Sequence, residues 1–497
     1  MLRPWHISIP VQCRSGRPAY LQIAVAIVEE IKRGRLMPGA VLPSTRVFAE
    51  ELHVNRKTVV LAYDELVAQG WLISDRTRGT FVSTELPIIR SGGRSTNSLQ
   101  GTPMPERPDY LLRDSETRLT PHVEERGFMA FDDGAPDTRL IPTANLARAW
   151  RRALRDAMRT NQRYGDPRGT IELRRALSSM LNSERGLSTT VANICTVRGS
   201  QMGIYVAARI LIRPGDTVVV EALSYPPARE TFRAAGADVT SVGLDSHGMR
   251  MDQLETLCRR RRVRAVYVTP HHQFPTTVPL TPDRRLRLLL LAEQFGFAII
   301  EDDYDHEFHF SHRPLMPLAS MDRRGKVIYI GSMSKLLSPS LRLGYLVAPA
   351  RVIESAATHI LMIDRQGDPV TERAVADLMQ AGEIRRHANK ARKVYAQRRK
   401  HLAQILTDHF SDEFDFTLPD GGLAVWARFR KPIDMAKLIA AAETGRIRFL
   451  VAQEFACDFT SISAIRLGFA CFDAEEMNEA GRRFKDALIA ARSRGID

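Results

Sequence analysis

Apolar residues recur along this chain in two rhythms. Up to about residue 84 the spacing is helical. AYLQIAVAIVEEIKRG sets Leu21, Val25, Val28 and Ile31 at helical intervals, and Gly34 suits a stop. LPSTRVFAEELHVNRKTVVLAYDELVAQGWL then predicts a short helix from Thr45 to Leu52 with Ser44 as its cap. His53-Val54 turns the chain, Asn55 caps a second helix running to Gln69, and Gly70 closes it. WLISDRTRGTFVS is β-prone on both sides of Arg76-Thr77-Arg78-Gly79, which predicts a hairpin with a basic tip.

Residues 85–127 lose this periodicity. RSGGRSTNSLQGTPMPERP is rich in Ser, Gly, Pro and Thr and reads as a flexible linker. From 128 onward helical stretches alternate with continuous apolar runs: ICTV at 194–197, TVVVEA at 217–222, RAVYVTP at 264–270, FAIIEDD at 297–303 and KVIYIGS at 326–332. Unbroken Val/Ile runs between helices indicate parallel strands covered on both faces, hence an α/β, doubly wound sheet. Beyond about 350 helical patterns dominate around a strand-like LAVWARF at 423–429, which suggests a smaller α+β subdomain over 350–497. The expected division is therefore 1–84, 85–127 and 128–497.

A short helix, a tight turn and a second helix form the helix-turn-helix pattern, and the basic hairpin adds a wing. The second helix presents Arg56, Lys57 and Thr58 to a major groove. Ser44, Arg46, Asn55, Arg76, Arg78 and Gly79 complete the expected DNA-binding set. Residues 1–84 hold 11 Lys/Arg against 7 Asp/Glu, and the whole chain carries a formal charge of +14, a balance that favours an anionic partner. The run RRRRVR at 259–264 reads as a solvated helix end rather than a second nucleic-acid site.

The five cysteines are scattered without a zinc-like spacing and read as reduced thiols in a cytoplasmic protein. The N-terminus shows no apolar segment of signal length, and the most apolar stretches carry charges every few residues, so no membrane span is expected.

Candidate chemistry gathers at the carboxyl ends of the expected strands, where ligands bind in open α/β sheets. TVRGSQMG at 196–203 follows a strand and opens a helix. The N–H groups of Gly199, Ser200 and Gln201 could cradle a phosphate there, or the stretch is a plain strand–helix turn. FAIIEDDYDHEF ends a buried strand in Glu301-Asp302-Asp303-Tyr304. A carboxylate there needs a partner. A protonated pyridine nitrogen suits Asp302, with Tyr304 near a phenolic oxygen. The acidic cluster beside His306 is also a cation-binding pattern, but the sequence favours a cofactor and no metal. GSMSKLLSPSLRLGY at 331–345 places Lys335 after a strand, among the hydroxyls of Ser332 and Ser334, with Arg342 able to grip a phosphate. Lysine, acid, helix start and arginine together are best explained by a pyridoxal 5'-phosphate Schiff base at Lys335.

The motifs carry a resemblance. Residues 18–72 closely resemble a GntR-type winged helix. The remainder is similar to fold-type I aminotransferases through YGDPRGTIELRRAL, VEALSYPPAR, TPHHQFPTTVPL, EDDYDHEF, GSMSKLLSPSLRLGY, GEIRRHANKARKVYAQRR and IRLGFA, in family order. The pairing looks like the MocR subgroup of GntR regulators. The resemblance implies that Lys335 carries the cofactor as an aldimine, Asp302 faces its pyridine nitrogen, Tyr304 its 3′-oxygen, and Tyr225 stacks on its ring. It assigns the phosphate to Ser200, Gln201, Ser332 and Arg342, and the carboxylate of a small amino-compound effector to Arg466. It further implies a double-stranded DNA operator and a head-to-tail homodimer. The expected function is a regulator sensing an amino compound or the cofactor itself. The alternatives are an active aminotransferase with an accessory DNA-binding domain, and a cofactor-free DNA-binding scaffold. Two departures matter: Thr277 replaces a loop glycine, which predicts an altered backbone, and Phe274 stands where aminotransferases place an asparagine, which argues against full transamination. His271 likewise replaces a serine, and Ala424 stands where the subgroup often has a histidine.

Overall fold

The computed structural model describes residues 11, 17–75, 77–86, 107, 110–112, 127–132, 134–159, 163–310, 315–458 and 462–493. The chain forms two compact units, residues 1–114 and 115–497.

In the first unit, α1 (Ala19–Lys32), α2 (Thr45–Glu51) and α3 (Arg56–Ala68) precede an antiparallel hairpin of β1 (Leu72–Asp75) and β2 (Gly79–Val82). Ser44 caps α2 by accepting from the Val47 N–H at 3.3 Å, and Asn55 caps α3 by accepting from the Lys57 N–H at 2.9 Å. Both serve N–H groups that the first turn leaves without a partner. Helix α1 corrects the expected face. Ile23, Ala24, Ile27 and Ile31 turn inward, whereas Val25 is 42% exposed and Leu21 and Val28 are half-buried. Ile23, Ile27 and Ile31 share one i, i+4 ridge, which lays a continuous aliphatic row against α3. The Tyr63 hydroxyl of α3 donates to the Pro43 carbonyl at 3.0 Å, tying it to the approach to α2.

The second unit holds the remaining strands: β3 (Met129–Phe131), β4 (Ile194–Val197), β5 (Thr217–Glu221), β6 (Asp238–Val242), the short pair β7 (Leu244–Asp245) and β8 (Gly248–Met249), β9 (Val263–Val268), β10 (Ala298–Asp303), β11 (Val327–Ser332), β12 (Gly344–Val347), β13 (Phe414–Phe416), β14 (Ala424–Phe429), β15 (Ile447–Val451) and β16 (Ala464–Gly468). Seven of them form a sheet in the order β4-β12-β11-β10-β9-β5-β6. All five apolar runs are strands of this sheet, and β10 pairs parallel to both β9 and β11. Strand β12, which the apolar pattern did not signal, runs antiparallel between β11 and β4.

Burial on both faces explains the unbroken apolar runs. Val266, Ile299 and Tyr329 pack on one side, while Ala265, Tyr267, Ile300 and Ile330 pack on the other. A five-stranded sheet, β13-β14-β16-β15-β3, makes the smaller layer. Its edge strand β3 comes from Met129–Phe131, far from the 350–497 region that supplies the rest. The basic run is a paired helix end: Arg259 meets Glu255 at 2.6 Å, Arg261 meets Asp238 at 2.7 Å and Arg264 meets Asp216 at 2.9 Å. The four described cysteines are free thiols. Among the described residues no helix is long and apolar enough to cross a membrane.

Candidate cofactor site and nucleic-acid interface

The expected cofactor residues converge on one edge of the large sheet because each follows, or ends, a strand that points there. Ser200 and Gln201 open the helix Gly199–Leu211 after β4, and Tyr225 caps the helix Pro226–Ala234 after β5. Asp302 lies at the end of β10, Tyr304 follows it, and Ser332 ends β11 just before Ser334 and the half-buried Lys335.

The expected phosphate-binding residues sit at a close approach of two chain segments. Gly199 has φ +77°, and a Cβ there would lie 3.1 Å from both terminal nitrogens of Arg342. Arg342 itself is left-handed (φ 48°) and donates to the Arg198 carbonyl at 2.8 Å. The guanidinium is thus held across the first turn of the helix, whose N–H groups face outward. The Gln201 carboxamide donates to Thr231 Oγ1 at 2.8 Å and to the Pro227 carbonyl at 3.3 Å. Its side chain is committed to the neighbouring helix, so what Gln201 offers a phosphate is its main-chain N–H. Ser332 Oγ accepts from the Ser334 N–H at 3.1 Å and keeps its own proton to donate.

Asp302 is sealed on the face of β10 that carries Ile300. Its Oδ2 accepts from the Tyr267 hydroxyl at 2.8 Å, and its buried Oδ1 has no hydrogen-bond partner. Burial raises its pKa to about 7, against the pull of the Tyr267 hydrogen bond. Tyr267 was not singled out in the sequence, although a hydroxyl inside the otherwise aliphatic RAVYV run is the signal that marks it. The Tyr304 hydroxyl donates to the His272 carbonyl at 2.9 Å, so in this structure its proton is directed at the loop rather than toward a cofactor oxygen.

Phe274 is the hub of a buried aromatic cluster. It is 5% exposed and meets Tyr225, Tyr304 and Phe455 edge to face at 5.4, 6.0 and 5.3 Å. Arg466, fully buried on β16, lays its guanidinium 4.7 Å over the Phe274 ring and donates to the Pro275 carbonyl at 2.6 Å. Arg466 therefore reaches from the small sheet to the loop after β9. Thr277 adopts a left-handed backbone, at φ 63°, a conformation that favours glycine.

In the first unit Ser44, Arg46, Asn55, Arg56, Lys57, Arg78 and Gly79 are all exposed, and Thr58 is half-buried behind them. Arg56 Nε donates to Thr45 Oγ1 at 3.4 Å, linking the start of α3 to that of α2. Asp75 accepts from the Thr77 and Arg78 N–H groups at 2.8 and 3.0 Å and so folds the wing tip. Arg76 lies outside the described residues.

Comparison with known proteins agrees with both halves. Residues 19–82 match the bacterial regulatory proteins of the gntR family, and residues 129–484 match class I and II aminotransferases. The chain is 29% identical to the probable rhizopine catabolism regulatory protein MocR of Rhizobium meliloti, over 96% of this chain and 95% of that one. It is 30% identical to the HTH-type transcriptional regulator TauR of Rhodobacter capsulatus, over 86% of this chain and 89% of that one. Among solved structures, the kynurenine aminotransferase of Pyrococcus horikoshii, in complex with PMP, superposes with a TM-score of 0.69 at 25% identity, covering 74% of this chain and 92% of that one. Matched along both segments, the chain belongs to the class I and II aminotransferase family and, with its gntR-family helix-turn-helix, to the MocR type of transcriptional regulator.

Proposed function

We propose that the chain is a DNA-binding transcriptional regulator whose aminotransferase-like unit holds pyridoxal 5'-phosphate at Lys335 and senses an amino compound. The observation that carries this reading is Asp302. A sealed carboxyl with one oxygen satisfied, one orphaned and a pKa of about 7 is a costly arrangement for a structural residue. A protonated ring nitrogen removes both costs, because it donates to Oδ1 and its charge returns the carboxyl to the ionised form.

The neighbouring groups fit the rest of that cofactor. The N–H groups of Gly199, Ser200 and Gln201, the hydroxyls of Ser332 and Ser334, and the Arg342 guanidinium suit its phosphate. Tyr225 borders the ring, and Lys335 supplies the amine that anchors it. When bound, the cofactor contributes an electrophilic carbon that condenses reversibly with primary amines. Arg466 receives the ligand's carboxylate or similar anion. Tyr304 holds the His272 carbonyl and so steadies the loop that carries Phe274.

Phe274 favours sensing over turnover. The ring is spent on packing and on seating Arg466, and it offers no polar group to the cofactor. On the DNA side, the exposed Arg56, Lys57 and Arg78 suit phosphates and base edges of a duplex.

The test is the visible absorption of the purified protein before and after borohydride, with the modified peptide mapped. A band that collapses, with label on Lys335, is the expected result. No band after added pyridoxal phosphate, or label elsewhere, sinks the cofactor reading. Steady release of a keto acid from an amino donor would instead make the chain an aminotransferase.

A further inference from the structure

On the face of β10 opposite Asp302, three side chains point at one another. His271, Asp303 and His306 are 5%, 2% and 7% exposed, and one ligand atom from each lies within 4.8 Å of the other two. The sequence set His306 beside the acidic cluster in general. The structure selects Asp303, and adds His271 from the loop after β9. His306 Nδ1 stands 3.0 Å from Asp303 Oδ2, and His271 Nδ1 stands 3.7 Å from Asp303 Oδ1. The two imidazoles meet at 4.6 Å between centroids.

The protonation pattern of this group is unusual. His271 Nε2 is held on the Leu315 carbonyl, which can only accept, so Nε2 carries the ring proton and Nδ1 carries the lone pair. In that tautomer the Nδ1 lone pair of His271 faces Asp303 Oδ1 across 3.7 Å. His271 Nδ1 and Asp303 Oδ1 have no hydrogen-bond partner, while His306 Nδ1 lies 3.0 Å from Asp303 Oδ2.

The surrounding charges leave room for a cation. Arg185 lies 3.7 Å from Asp303 Oδ2, but it is also paired with Glu307 and bonded to the Tyr329 hydroxyl. Arg285 gives its donors to the carbonyls of Leu280, Met316 and Pro270. Asp303 thus keeps a surplus negative charge, and Tyr329 fixes its Oδ2 with a hydroxyl at 2.6 Å, leaving Oδ1 for a ligand.

We propose that His271, Asp303 and His306 bind a divalent transition-metal ion, zinc being the best match to two imidazoles and one carboxylate. Tyr329 below the carboxylate and the Leu315 carbonyl behind His271 are the outer partners such ligands need. Metal–ligand distances of about 2.0–2.2 Å require the side chains to draw in by roughly 1 Å. The ion would pin the loop 271–277, which carries Phe274 and the Arg466 acceptor Pro275, to the end of β10. The proposal goes beyond the cofactor reading and does not depend on it.

The test uses the full chain, stripped with a chelator, incubated with zinc and passed through a desalting column. His271→Ser and His306→Asn are carried in parallel, with circular dichroism as a fold control. Wild type is expected to retain about one ion per chain, to gain thermal stability on adding zinc, and to show the visible bands of a low-symmetry site when loaded with cobalt. Each variant is expected to lose all three. Retention in wild type no greater than in the variants, or an unfolding midpoint that zinc leaves unmoved, overturns the proposal and leaves a water-bridged or directly bonded trio. Zinc content is read whether or not the pyridoxal phosphate band forms, so failure of one reading is distinguishable from failure of the other.

Discussion

Asp302 is the residue whose energetics should change most when the cofactor site fills. Its pKa rises from 3.8 to about 7, with burial as the main cause. An acid raised in the folded state contributes stability below its unfolded pKa and loses it as pH climbs through the folded value. The window here runs from about pH 4 to pH 7. The span is about 3 units, worth about 4 kcal/mol at 1.36 kcal/mol per unit, as an upper bound. Glu221, at about 7, and Glu301, at about 8, carry the same sign, so cofactor-free protein should become less stable between pH 5 and pH 8. Asp302→Asn keeps an acceptor for Tyr267 and removes one of these three ionisations. Thermal unfolding of cofactor-free protein at both pH values reads the difference. The variant is expected to lose less stability, by several degrees in midpoint. Pyridoxal phosphate at pH 8 is expected to recover wild type and to do little for the variant. Parallel pH profiles for the two proteins, with equal recovery, would refute the reasoning.

Arg56→Ala and Lys57→Ala should weaken operator binding with the fold intact. If the lost contact is to a phosphate, the slope of log K against log salt should fall by about 0.9 in fluorescence anisotropy titrations. Gly199→Ala should lower stability by about 1–2 kcal/mol, since a left-handed alanine costs that much, and should weaken pyridoxal phosphate binding because its methyl displaces the Arg342 guanidinium. Gln201→Ala should change that affinity little, because its carboxamide is bonded to Thr231 and Pro227; a spectrophotometric titration separates the two variants. Phe274→Ala should cost about 3–5 kcal/mol of stability in a denaturant titration and lower the affinity for amino acid ligands, because it removes both the aromatic hub and the seat of Arg466.

The parts legible in the sequence are those governed by short-range rules. Caps at Ser44 and Asn55, the hairpin about Arg78-Gly79 and the five buried strands follow from local hydrogen bonding and from burial on two faces. Strand β12 was not legible, because GYLV is short and its antiparallel insertion between β4 and β11 depends on the sheet already being present. The face of α1 was misjudged because Val25 and Val28 fit a helical period as well as Ile23 and Ile27 do, and only packing against α3 selects the phase. At the site, Asp302 and Lys335 were legible as chemistry at strand ends. Tyr267 and the grouping of His271 with Asp303 were not, because each depends on contacts between residues 32 to 35 apart in sequence. Thr277 shows the limit from the other side: the loop holds a left-handed backbone that its residue type disfavours, so neighbouring structure overrides local preference.

Phe274 and Arg466 together bear on how such a site can respond to a ligand without consuming it. The guanidinium is fixed on the Pro275 carbonyl and the Phe274 ring, so in the function we propose a ligand carboxylate would meet a cation already in place. Arg466 belongs to the small sheet, whereas Lys335 follows β11 of the large one. Protein contacts already join the two layers there, including the Ser224 N–H to the Phe455 carbonyl at 2.9 Å. A ligand that bonds to both residues adds a link whose strength depends on how closely the layers approach, which is the differential affinity a switch requires. Two charge-assisted hydrogen bonds at Arg466 contribute about 3–6 kcal/mol if made in only one arrangement. Moving an equilibrium from 1:99 to 99:1 takes about 5.5 kcal/mol, so the arginine alone nearly suffices. In the function we propose, proton transfer on the bound amine adds nothing to that difference, and a site that spends residue 274 on packing loses nothing that sensing requires.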